Sequence, residues 1–255
     1  MSRAAKTAYI GMAVALGVCA TFITAALVDY SSTVVLASFS TDLSARSPDQ
    51  LHNIRRASAA IDGAVVKPET EFSFNAAVGL CGVARGYRQA PAIVDGEMRP
   101  SWGGGVCQVS STLYNAALLA GLDVTERHAH SRRVSSVPPG RDATTAFGIA
   151  DLRFVNTTGR PIRLRVSVSG SRLTASVIGA GRGQDQIEIL TRSRPGARTR
   201  APGSISGSYD ASVEGTVVET YRVVRRHNIE TRRELVSRDV YAAPAVTDAA
   251  FSEVE

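Results

Sequence analysis

The chain has 255 residues, 44% of them hydrophobic, enough to bury a core in one or two domains. A net charge of +6 is too small to argue for nucleic acid, and 6% aromatic content offers no stacking platform for single strands. Three cysteines, Cys19, Cys81 and Cys107, give neither zinc-ligand spacing nor a dense disulfide framework.

Residues 1–7 are short and basic, with Arg3 and Lys6, and are expected in the cytoplasm. Residues 8–28 carry no charge and have the length a helix needs to cross the hydrocarbon core. They are expected to form an uncleaved signal anchor that leaves the rest of the chain outside the cell membrane. A cleavable signal peptide is the alternative. Residues 29–46, rich in Ser, Thr and β-branched side chains, read as an extended extracytoplasmic linker. Ser47-Pro48-Asp49-Gln50 has the form of a capping box with proline at the first helical position. Leu51, Ile54, Ser58 and Ile61 mark the inner face of that helix, and Gly63 its stop. Phe72 and Phe74 alternate as in a strand, and Asp95-Gly96 predicts a tight hairpin between Ala92 and Met98.

The stretch from Trp102 to Gly121 organises the rest. Gly103, Gly104 and Gly105 lead into an apolar helical pattern of Val106, Val109, Leu113, Ala116, Ala117 and Ala120. Cys107 falls in the first turn, where unpaired amides and the helix dipole favour a thiolate. Ser111 and Tyr114 lie on the same side of the helix by their spacing. A buried structural cysteine behind a tight glycine connection is the plainer reading. After the helix, Asp123 to His130 reads as a strand with Glu126, His128 and His130 on one face. Val137-Pro138-Pro139-Gly140 is a rigid loop that presents Arg141 and Asp142. From Asp151 the pattern alternates as an antiparallel sheet through residue 190. Residues 191–210, rich in Gly, Pro and Arg, read as a long loop. Residues 211–243 read as a hairpin turning at His227-Asn228, and 244–255 as a disordered tail. The fold class expected is α+β: one central helix with a Gly-rich N-terminal loop, packed on antiparallel β-sheet and preceded by a transmembrane helix. The main domain is expected over 47–190.

Several motifs stand in a fixed order: Phe72-Ser73-Phe74-Asn75, Val78-Gly79, Arg85-Gly86-Tyr87, the run Gly103 to Ala116, Glu126 to Ser131, Pro139 to Thr144 and Asn156-Thr157-Thr158. Together they resemble the VanW family from about Asn53 to Ile178, and the C-terminal hairpin is similar to the family's ending. The resemblance implies a bacterial cell-envelope protein associated with vancomycin resistance and working near peptidoglycan. It implies no settled activity. Cys81 departs from the family's usual loop.

Two functions follow for the central helix. In the first, a thiol enzyme acts on peptidoglycan or its peptide precursors. Cys107 is the nucleophile, His130 or His128 the base, and Asp142 orients the imidazole. The amides of Cys107 and Gln108 hold the oxyanion. In the second, a non-catalytic module binds peptidoglycan through Gly103, Gly104, Gly105, Arg85, Tyr87, Tyr114 and Arg141. There the arginines grip carboxylates and the aromatic rings meet sugars. A Cys81–Cys107 disulfide is the structural alternative, and it masks the thiol. No cofactor and no metal are expected, since Cys107 with His128 and His130 lacks a second cysteine. Oligomeric state is open.

Overall fold

Ser47 caps the first helix as its motif requires. The computed structural model describes residues 33–94, 97–181, 185–200 and 212–242. Helix α1 spans Pro48–Ile61; the Ser47 side chain accepts from the Gln50 amide, and the Gln50 side chain reaches back to the Ser47 amide at 3.1 Å. Its inner face buries Asn53, Ile54, Ala57 and Ile61. Short strands β2 (Val65–Val66) and β3 (Glu71–Ser73) follow, and then the one-turn helix α2 (Phe74–Val78). Strands β4 (Gln89–Val94) and β5 (Glu97–Trp102) pair antiparallel, with Val94 opposite Glu97. The expected Asp95-Gly96 turn itself lies outside the described residues.

Helix α3 (Val106–Leu119) runs through the interior, and all of it except Cys107 and Leu119 is buried. Strands β6 (Asp123–Glu126) and β7 (Arg153–Val155) join β3 in one sheet, of order β3-β7-β6. Phe72 stacks on Phe154 there, ring centroids 4.9 Å apart. Strands β8 (Ile162–Ser169) and β9 (Arg172–Ala180) form the middle of a four-stranded sheet, of order β1-β9-β8-β2. Their alternation buries Ile162, Leu164 and Val166 from one strand and Leu173, Ala175 and Val177 from the other, all facing one core with α1 and α3. The edge strand β1 is Thr33–Asp42, so the latter part of the expected linker is woven into this sheet. The last sheet holds β10 (Asp185–Arg200), β11 (Ser212–Arg226) and β12 (Ile229–Tyr241) in that order. Both residues of the turn between β11 and β12, His227 and Asn228, have positive φ, 51° and 64°, as a two-residue hairpin requires.

This architecture corrects the expected fold class. Strands hold 50% of the described residues and helices 19%, so the described residues are mainly β, in four sheets. The helix from Val106 does not lie on one sheet. It is enclosed on all sides, which is why its polar positions are buried along with its apolar ones. The transmembrane helix expected at 8–28 lies outside the described residues; among the described residues, no helix is long and apolar enough to cross a membrane. The loop expected from residue 191 is a continuation of β10 as far as Arg200. Its glycine and proline mark a register shift between Pro195 and Arg198 instead of a break.

Candidate active site

The site begins with the loop of Gly140 to Thr145, which is clamped from two sides. From α3, the Ser110 hydroxyl donates to the Ala143 carbonyl at 2.6 Å, and the Ser111 hydroxyl accepts from the Ala143 amide at 2.9 Å. Asn115 donates to the Arg141 carbonyl at 2.7 Å and accepts from the Arg141 guanidinium at 2.5 Å. From the C-terminal sheet, the Tyr241 hydroxyl accepts from the Gly140 amide at 2.7 Å, and Thr220 donates to the Gly140 carbonyl at 3.1 Å. Gly140 has φ 83°, and a Cβ there would lie 2.3 Å from the Thr220 hydroxyl. Only glycine fits that crossing.

The clamp fixes Asp142, which is 1% exposed. One carboxylate oxygen accepts from the His130 amide and from its ring Nδ1, each at 2.7 Å. The other accepts from Tyr241 at 2.5 Å and from Arg127 at 3.1 Å. Burial pushes the Asp142 carboxyl up, but the His130, Tyr241 and Arg127 donors outweigh it and hold the group below its ordinary range. Asp142 is therefore a carboxylate and can only accept, so Nδ1 of His130 carries the proton. That leaves Nε2 as the basic ring nitrogen, and His130 acts electrostatically on the Cys107 thiol, whose own hydrogen-bond contact is with Thr145. Burial lowers the imidazole's affinity for a proton, yet Asp142 and Cys107 together raise it to about 9. Burial likewise opposes the thiolate, but His130, aided by Thr145, lowers the Cys107 thiol below its ordinary value. Cys107 keeps partial exposure and lies 3.5 Å from the Thr145 carbonyl. Both shifts run in the direction of a thiolate–imidazolium pair.

Of the residues read from the sequence, Cys107, His130 and Asp142 come together. His128 does not. Strand β6 ends at Glu126, so the alternation expected as far as His130 is not kept: His128 stands exposed against Glu126 at 3.0 Å while His130 turns to Asp142. Gln108 points to β1, where its amide donates to Thr41 at 3.0 Å and to the Asp42 carbonyl at 2.8 Å. Its backbone N–H is bonded to the Gly105 carbonyl at 3.0 Å, so the expected oxyanion pair lacks that donor.

The glycines do not open a ligand cradle. A Cβ on Gly103 would meet Cys81 at 2.6 Å, one on Gly104 the Ala90 carbonyl oxygen at 2.4 Å, and one on Gly105 the Gln50 side chain at 3.2 Å. The chain itself fills that space. Tyr114 is buried beneath the Arg127 guanidinium, 5.3 Å from it, and its hydroxyl is raised to about 12, chiefly by burial. Arg141 packs over Phe39 at 4.8 Å. Arg85 and Tyr87 lie together in a separate cleft that Cys107 does not line. Cys81 and Cys107 are free thiols and not a disulfide. Among the described residues, no three His, Cys, Asp or Glu side chains gather as a metal site.

Sequence reasoning passed over Arg127, Asp239 and Tyr241. Arg127 bridges Asp142 and Asp239, the latter at 2.5 Å, and its side chain is 5% exposed. Its place between Glu126 and His128 was the available signal, because alternation turns it opposite to both. Nothing local marked Tyr241.

A buried carboxylate, an imidazole and a thiol at a helix start define a candidate thiol-nucleophile protein. A family model described as VanW like protein matches residues 49–178, and the chain belongs to that family. The uncharacterized protein YoaR of Bacillus subtilis is 40% identical over 180 residues, 71% of this chain and 58% of that protein. The vancomycin B-type resistance protein VanW of Enterococcus faecalis is 25% identical over 134 residues, 51% of this chain and 49% of that protein. The chain thus spans about half to three-fifths of the length of these relatives. No solved structure matches it.

Proposed function

We propose that this VanW-type protein is a cell-envelope thiol enzyme that acts on a peptide bond of peptidoglycan or its precursors, in a setting linked to vancomycin resistance. The observation that carries the reading is the Asp142–His130 hydrogen bond, together with a Cys107 thiol that His130 lowers. The name of the Enterococcus relative supports the link to vancomycin resistance. In this reading the Cys107 thiolate attacks the scissile carbonyl, and the His130 imidazolium gives its proton to the leaving amine. The thioester is then opened by water, with His130 as the base. Asp142 holds the ring in one tautomer throughout and is not itself protonated.

The test is turnover of stem-peptide substrates by the full chain, read by mass spectrometry, beside direct binding of the same peptides. Cys107→Ser and His130→Ala should each lower turnover by about a thousandfold or more while the peptide still binds. Binding without turnover in the unaltered chain would overturn the enzyme and favour a peptidoglycan-binding module. The tied Gln108 amide is the observation on that side.

A further inference from the structure

The strongest unassigned feature is a cleft of about 730 Å³ between the outer face of α1 and the turn Val83–Arg85. It is lined by His52, Arg55, Arg56, Arg85 and Tyr87 over a floor of alanines and Val78. Among the described residues no acidic side chain lines it. On α1 the spacing of His52, Arg55 and Arg56 puts them on one face, opposite the buried Asn53, Ile54 and Ala57. The two nearest glycines make room for the guanidiniums. A Cβ on Gly79 would lie 2.1 Å from the Arg85 guanidinium, and one on Gly86 would lie 3.1 Å from that of Arg56. Arg85 is further held by a 2.6 Å bond to the Val78 carbonyl, and Arg56 lies over the Tyr87 ring at 5.7 Å. Each guanidinium keeps unused N–H donors, because Arg has five. None of Arg55, Arg56 and Arg85 has an ion-pair partner among the described residues, although Asp49 close by is paired with Arg88 at 2.9 Å.

We propose that this cleft is a binding site for a multiply charged phosphate group, a phosphate monoester or a pyrophosphate. Three guanidiniums lining one cleft without a counter-charge suit an anion of charge two or more better than a single carboxylate, and planar N–H pairs match its oxygens bidentately. The proposal is independent of the thiol reading, since Cys107 does not line the cleft.

Calorimetry on the full chain at constant ionic strength tests it, with pyrophosphate and glycerol phosphate as probes and succinate as the carboxylate control. Saturable binding of the phosphates, at least about tenfold tighter than succinate, is expected. Arg55→Gln has no packing role to disturb and should weaken pyrophosphate about tenfold with the unliganded melting temperature unchanged; Arg85→Lys, which keeps charge but loses the planar fork, should weaken it as well. Vesicles of phosphatidylcholine with and without phosphatidic acid then separate a lipid headgroup from a soluble phosphate as the source. Retention only by the phosphatidic acid vesicles assigns the headgroup; binding of the soluble probes alone assigns the free ester. No saturable heat with any phosphate, equal affinity for succinate, or affinity unmoved by both variants would overturn the proposal.

Discussion

At Cys107 the balance of opposing effects decides the chemistry. Burial alone raises a thiol, and His130 reverses the sign. Alkylation by iodoacetamide, followed against pH, should therefore show the thiol titrating below the ordinary value of 9.0. His130→Ala removes the lowering partner and leaves burial, so the titration should move up past that value. Both Cys81 and Cys107 should be accessible to counting by thiol reagents without reductant, because neither is bridged. Burial and the Tyr87 contact act on Cys81 in opposite directions, and burial wins, so it should label more slowly at neutral pH. Asp142 carries a stability prediction. Its carboxyl is depressed in the folded chain, so its contribution is full above the ordinary value of 3.8 and is lost as pH falls through the lower folded value. Asp142→Asn leaves Arg127 without one of its two charges and should cost about 3–5 kcal/mol near neutral pH, read by chemical denaturation. That cost should shrink in acid.

The element that matters is α3, and its polar residues serve other segments of the chain. Gln108 fastens β1, while Ser110, Ser111 and Asn115 fasten the loop that carries Asp142. Ser111→Ala would strand the Ala143 amide in the interior and should cost about 1–3 kcal/mol in thermal unfolding. Gly104→Ala is the stricter test of the glycine run. A methyl there meets the backbone of β4 at 2.4 Å, which no side-chain rotation relieves. The variant should lose stability even where no ligand is present, and a ligand-cradle role predicts no such loss. The first turn of α3 has no side-chain cap, and Val106 and Gln108 bond back to Gly103 and Gly105. The dipole at Cys107 is thus partly satisfied by the glycine loop, and among the side chains that lower the thiol His130 acts most.

Across the whole molecule the site is completed from a distance. Tyr241 and Asp239 lie on β12, beyond the residues that the family model matches, yet both hold the Asp142–Arg127 pair. Tyr241→Phe removes the 2.5 Å donor to Asp142 and the acceptor for the Gly140 amide. It should lower stability by about 1–3 kcal/mol and slow alkylation of Cys107 at neutral pH, with the Cys81 rate as an internal control. An unchanged Cys107 rate would mean that the C-terminal sheet supports the loop without affecting the thiol. The phosphate cleft faces elsewhere, so its affinity should be indifferent to this substitution.

Local chemistry was legible wherever a segment answers to its own neighbours. The capping box at Ser47, the hairpin turn at His227-Asn228, the alternation of β8 and β9 and the helical run from Val106 need only short-range sterics and periodicity. The grouping of Cys107, His130 and Asp142 was suggested by residue type and motif order. Which histidine, which face and what lies behind Asp142 were decided by tertiary structure. The end of β6 at Glu126 left His128 outward and turned His130 to Asp142. Packing on every side of α3 made buried structure of Gln108, Tyr114 and the three glycines. A strand more than ninety residues away brought Tyr241 to the loop. None of these can be read from a pattern, because burial and hydrogen-bond pairing between distant segments have no signature in either one alone.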